Sequence, residues 1–134
     1  MAAIKPLLLS CEHGGNEVPA DYTPLFSDAR AVLDSHRGFD IGALAIARHL
    51  EQRLRVPLIA ATTTRLLVDL NRSPTHPRLF SEYTSVLSAA ERRRLLLRHY
   101  QPYRDRVTQW LVQRASSRAP AVHVSVHSFA AVLD

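Results

Sequence analysis

Four short apolar runs dominate the chain: PLLLS at residues 6–10, VPLIAA at 56–61, RLLVDL at 65–70 and VHVSV at 122–126. Runs of this length, rich in Leu, Ile and Val, read as strands, the first and third of them buried. Between them lie stretches with helical spacing. Over residues 40–54, Ala43, Ala47, Leu50 and Leu54 recur at three- and four-residue steps, with Arg48, Glu51 and Arg55 off that face. Strands that alternate with helices predict an α/β fold, a mixed, mostly parallel sheet flanked by helices.

The rest of the chain fits around that frame. Ser88 and Glu91 have the S-x-x-E spacing of a capping box and predict a helix from there to about residue 116. Pro102 is expected to break or kink it. Residues 21–35 read as irregular, with a short helix near 29–33. Pro74 and Pro77 mark 73–85 as a loop.

Three polar clusters follow predicted strands. They are Glu12-His13-Gly14-Gly15-Asn16-Glu17, then Asp69-Leu70-Asn71-Arg72, then His127-Ser128-Phe129. Parallel strands would bring all three to one carboxyl edge of the sheet, where α/β proteins bind ligands. Two histidines from separate strands and a carboxylate can hold Zn²⁺ in an open three-ligand site. An arginine beside an asparagine offers a fork of donors to a carboxylate. The glycines after His13 let the backbone pass close to a metal or ligand. The plainer alternative is that Asp69 pairs with Arg65 or Arg72 and only holds the turn.

Composition narrows the function. At 134 residues, 46% hydrophobic and 22% charged, the chain suits one soluble domain. The net charge is +5. Its arginines are scattered, and Arg92-Arg93-Arg94 falls in a helical pattern as a solvated face, so no nucleic-acid partner is expected. Small anionic substrates suit the excess charge. Cys11 is the lone cysteine, which excludes an internal disulfide and fits a reducing, cytoplasmic setting. No apolar stretch reaches the roughly 20 residues of a membrane span.

SCEHGGNEVP, SHRGFDIGALAIA, TTRLLVDLNRS, LFSEYT, YQPYRDRV and VHSF, in that order, resemble the successive blocks of the N-formylglutamate amidohydrolase family. The resemblance runs from about Leu9 to the last residue. More distantly, D-x-N-R and H-S-aromatic resemble elements of zinc carboxypeptidases and aspartoacylases. The fold this implies is a zinc-exopeptidase-like (phosphorylase/hydrolase-like) α/β sandwich. The activity it implies is cleavage of N-formylglutamate to formate and glutamate, a step of histidine catabolism.

The resemblance also implies roles. Zn²⁺ would be held by His13, His127 and one carboxylate, with Asp40, Glu17 and Glu12 as the alternatives. Arg65, Asn71, Arg72 and Ser128 would bind the N-acyl amino acid, with Asp69 orienting Arg72. His127 and Glu17 would be the catalytic residues. The carboxypeptidase pattern H-x-x-E is not met, because Asn16 stands where the glutamate would be. Family members are nearly twice this long, so the 134 residues are expected to form the N-terminal half of one incomplete domain. The glutamate that activates water is then expected downstream, or replaced by Glu17 or Glu12.

Overall fold

The computed structural model describes residues 5–115 and 119–131. Among them, β1 (Leu7–Cys11), β2 (Leu58–Ala60) and β3 (Val122–Ser125) form a sheet in the order β2-β1-β3. Both pairings are parallel, with Leu9 opposite Leu58 and Ser10 opposite Ser125. β1, the most apolar strand, takes the central place and buries Leu8, Leu9, Ser10 and Cys11. No helix among the described residues is long and apolar enough to cross a membrane.

Helices cover the two faces of the sheet. On one, α2 (Ala43–Leu54) lays Ala43 and Ala47 against Cys11 and Val126. The two alanines let the helix approach the strands closely. Leu54, expected on the buried face, is 51% exposed at the helix end. On the other face, Leu8 and Ile59 join a larger core with Leu67, Leu79, Leu95, Tyr100 and Tyr103. Residues 21–35 are more regular than expected, with a 3₁₀ helix at Ala20–Phe26 and α1 at Arg30–Leu33.

The capping box at Ser88 forms as read, with Glu91 N–H donating to the Ser88 hydroxyl and Ser88 N–H to Glu91. It opens α3 (Ala89–Leu95). Pro102 does not break the helical run. A π-helical turn at Leu96–Tyr100 leads directly into α4 (Gln101–Arg114). The wider turn absorbs the amide hydrogen that proline lacks, since Gln101 N–H already reaches back five residues to Leu96 O. The expected end near residue 116 lies outside the described residues.

Residues 65–70 do not form the expected strand. Residues 66–70 are buried, with Leu67 fully inaccessible, but the backbone is satisfied from a neighbouring loop. Thr84 Oγ1 donates to Leu67 O at 3.0 Å, Ser81 Oγ donates to Leu66 O, and Asp69 N–H donates to Leu79 O at 2.9 Å. Hydroxyls and turns do the work a sheet ladder would have done. The segment still delivers Asp69 and Arg72 to the carboxyl edge of the sheet.

Candidate metal and anion site

Glu12 and His13 leave the end of the central strand, and His127 follows β3 by two residues. Parallel pairing therefore carries both to the same edge. The loop after His13 is pinned to residues 61–64 by Gly14 N–H donating to Ala61 O and Glu17 N–H to Thr62 O, each 3.0 Å. A Cβ on Gly14 would meet Ala61 O at 2.7 Å, and one on Gly15 would meet Thr62 O at 2.5 Å. The glycines thus serve this backbone contact, where the sequence suggested a contact with metal or ligand. Asp40 N–H donates to His13 O at 2.9 Å, which fixes a third segment beside the histidine.

His13, Asp40 and His127 come together, with one ligand atom from each lying within 4.8 Å of the others. His13 Nδ1 is 3.6 Å and His127 Nδ1 2.7 Å from the same oxygen, Asp40 Oδ2. The two rings lie 5.3 Å apart, centroid to centroid. His13 Nδ1 is buried and has no hydrogen-bond partner among the described residues.

Each histidine turns its other nitrogen toward a fixed partner. His13 Nε2 is 2.7 Å from Asp69 Oδ1. His127 Nε2 is 2.8 Å from Ser125 Oγ, which donates in turn to Glu12 Oε2. With Nε2–H donated to a carboxylate, His13 Nδ1 keeps its lone pair, and that lone pair faces Asp40. A buried acceptor without a donor costs free energy unless a cation or donor completes it. Two imidazole nitrogens and a carboxylate oxygen form a donor set that suits a divalent metal ion.

The electrostatics agree with the geometry. Burial alone would raise the Asp69 carboxyl, but the His13 hydrogen bond, the charges of His13 and Arg65 and the Asn71 backbone N–H hold it well below the usual carboxylate range. Burial alone would lower the His13 pKa, yet the neighbouring Asp40 and Asp69 carboxylates raise it above 6.5. Glu12 is also kept ionised despite burial, by hydrogen bonds from Ser10 and Ser125.

Asp69 is the hinge between this group and the arginines. Arg65 donates to Asp69 Oδ2 at 3.0 Å through its terminal nitrogen, and Arg72 Nε donates to the same oxygen at 3.1 Å. Both arginines, with Asp69, line a cavity of about 660 Å³. The Asn71 side chain is exposed, and its backbone N–H donates to Asp69 Oδ1. Ser128 turns its hydroxyl to Ile41 O at 2.8 Å and its N–H to Asp40, so it braces the Asp40 loop. Glu17 stands apart from the metal-ligand group. Its residue is exposed, it bridges to Thr63, and it accepts from Thr62 Oγ1 at 2.8 Å.

Sequence reasoning missed three partners. It gave Asp69 to Arg72 and did not see His13 as its other partner. It passed over His123, whose Nε2 is 2.7 Å from Ser10 Oγ. It also passed over His76, which lies on Arg72. A signal for the second was present: Ser10 and Glu12, and His123, Ser125 and His127, recur at the two-residue period of one strand face.

A family model described as N-formylglutamate amidohydrolase matches residues 5–134. The crystal structure of a gene product from Agrobacterium tumefaciens is similar at TM-score 0.82 and 33% identity, over 96% of this chain and 54% of that one. The chain thus spans about half the length of that protein. No curated protein matches it.

Proposed function

The chain belongs to the N-formylglutamate amidohydrolase family, and on that footing we propose that it serves the metal-assisted hydrolysis of N-formylglutamate to formate and glutamate. The observation that carries this reading is the partnerless Nδ1 of His13, facing Asp40 and His127, while its other nitrogen meets the aspartate that holds both arginines. A metal site and a carboxylate site side by side are what cleavage of an N-acyl amino acid needs.

His13, Asp40 and His127 would hold the ion, with zinc the best match to two nitrogens and one oxygen. When bound, zinc polarises the acyl oxygen and lowers the pKa of a water. Asp69 fixes the His13 tautomer, and Ser125 with Glu12 fixes that of His127. Arg72 and Arg65 hold the substrate carboxylate, which places the scissile amide beside the histidines. Both oxygens of Glu12 accept from serine hydroxyls, so its part here is to orient, and Glu17 receives no role at the ion.

The test is formate release from N-formyl-L-glutamate with zinc supplied, run beside metal analysis of the purified protein. Turnover lost on chelation and restored by zinc is the expected result. A protein that takes up no divalent metal would overturn the reading. Hydrolysis of N-acetyl or other N-acyl amino acids in preference to the formyl compound would keep the metal chemistry and change the substrate.

A further inference from the structure

Leu95 and Tyr100 are both buried in the larger core, at 0% and 2% exposure, yet they stand five residues apart. An α-helix, with about 3.6 residues per turn, would point such a pair in different directions. The π-helical turn at Leu96–Tyr100 is wider and brings both side chains to one side. α4 continues from there, and its Tyr103 enters the same core. The wider turn thus fixes which side chains of the helical run meet residues 70–72.

Two of them do. Tyr100 OH donates to Arg72 O at 2.7 Å, and Arg104 donates through a terminal nitrogen to Leu70 O at 3.2 Å. The Arg104 guanidinium also stands over the Tyr100 ring, 5.9 Å from its centre. The other hydrogen-bond contacts of Arg72 are local. Its N–H donates to Asp69 O at 3.2 Å, its Nε to Asp69 Oδ2 at 3.1 Å, and a terminal nitrogen lies against His76. Among the described residues, Tyr100 alone hydrogen-bonds Arg72 from another element. Asp69 is fixed separately, by its own N–H to Leu79 O and by His13. The segment has no sheet ladder to hold it, so the Tyr100 contact has no backbone substitute.

We propose that Tyr100, braced by Arg104, is a positioning residue of the carboxylate site: by holding the Arg72 carbonyl, it sets where the Arg72 guanidinium stands in the wall of the 660 Å³ cavity. This rests on the reading of Arg72 given above. A two-pronged contact between guanidinium and carboxylate is planar and directional, so a small shift of the Arg72 backbone weakens it. Tyr100 touches no substrate. Its effect runs through Arg72 and leaves His13, Asp40 and His127 as they are.

The experiment is a double-mutant cycle on the full chain loaded with zinc, with glutarate as the probe carboxylate and calorimetric titration as the readout. Tyr100→Phe keeps the ring and removes the donor. It should weaken glutarate by about three- to tenfold, the loss expected for one hydrogen bond. KM for N-formyl-L-glutamate should rise in parallel, with kcat held within about twofold. Zinc affinity, read by chelator competition, should stay at the parent value. In the Arg72→Ala background, where Arg65 still lines the cavity, the same substitution should have no further effect on glutarate. A tyrosine that only stabilised the fold would act equally in both backgrounds. Arg104→Met keeps the stem and removes the donor. It should show the same pattern more weakly, and it decides the matter if Tyr100→Phe does not fold. An unchanged glutarate affinity in Tyr100→Phe, a loss that persists without Arg72, or a parallel loss of zinc would overturn the proposal. If Arg72→Ala itself binds glutarate as the parent does, the carboxylate reading of Arg72 fails, and the role of Tyr100 goes with it.

Discussion

His13 Nε2 and Asp69 Oδ1 are 2.7 Å apart in the interior, with both side chains almost inaccessible. This contact decides which histidine nitrogen can meet a metal. An aspartate that accepts from Nε2–H fixes the proton there and raises the electron density at Nδ1. Asp69→Asn keeps the volume and removes the charge. It should weaken metal binding by about 10–100-fold, the range seen when such outer partners are lost. Competition with a chromophoric chelator measures it. An unchanged affinity would mean that Asp69 serves only the arginines.

Metal binding should depend on pH with a sign set by His13. Its pKa in the metal-free protein is raised above 6.5, with burial opposed and outweighed by Asp40 and Asp69. A metal must displace that proton. Apparent affinity should therefore begin to fall, as pH is lowered, at a higher pH than for an ordinary imidazole. The metal-free protein should show the converse in its stability. A raised folded-state pKa stabilises fully below the unfolded value and is lost as pH rises through the folded one. Thermal melts with chelator present should show His13's contribution in full below the ordinary imidazole pKa and its loss as pH rises above that range. His13→Gln should flatten that slope, and a slope left intact would place the titrating group elsewhere.

The sequence revealed the strands and the polar residues at their ends because both depend on local composition. PLLLS is so apolar that it had to be central, and His13 and His127 follow their strands by position alone. RLLVDL misled for a physical reason. Burial gives a segment the same residue choice whether its backbone pairs with a strand or with hydroxyls. The groups that decided were Ser81 and Thr84, 15 and 17 residues beyond the carbonyls they reach. The partners of Asp69 and His76 were hidden likewise, since tautomers and shared oxygens exist only in three dimensions.

The hydroxyl support of residues 65–70 can be checked at Thr84, which is fully buried and donates to Leu67 O at 3.0 Å. Thr84→Val keeps the shape and removes the donor, leaving a buried carbonyl without this partner. The cost should be about 1–3 kcal/mol, read from denaturant unfolding. A neutral substitution would show that the Leu67 carbonyl finds water or another donor. Because Leu67 lies two residues before Asp69, the variant should also loosen the metal site slightly.

Gly15 gives the sharpest test of how the loop after His13 is held. Gly15 does not take a positive φ, so a side chain is excluded there by space alone. A Cβ at Gly15 would lie 2.5 Å from Thr62 O and 2.9 Å from Thr62 Cα. Both are backbone atoms, so no rotamer change can relieve the clash. The loop must move away from residues 61–64, which strains the Glu17 N–H bond to Thr62 O. Gly15→Ala should cost about 1–3 kcal/mol and, by shifting His13 two residues upstream, should weaken zinc binding as well. Unfolding and chelator competition on the same preparation separate the two effects. A variant that is destabilised but binds zinc normally would show that Asp40 and Asp69, rather than the glycine loop, hold His13 in place.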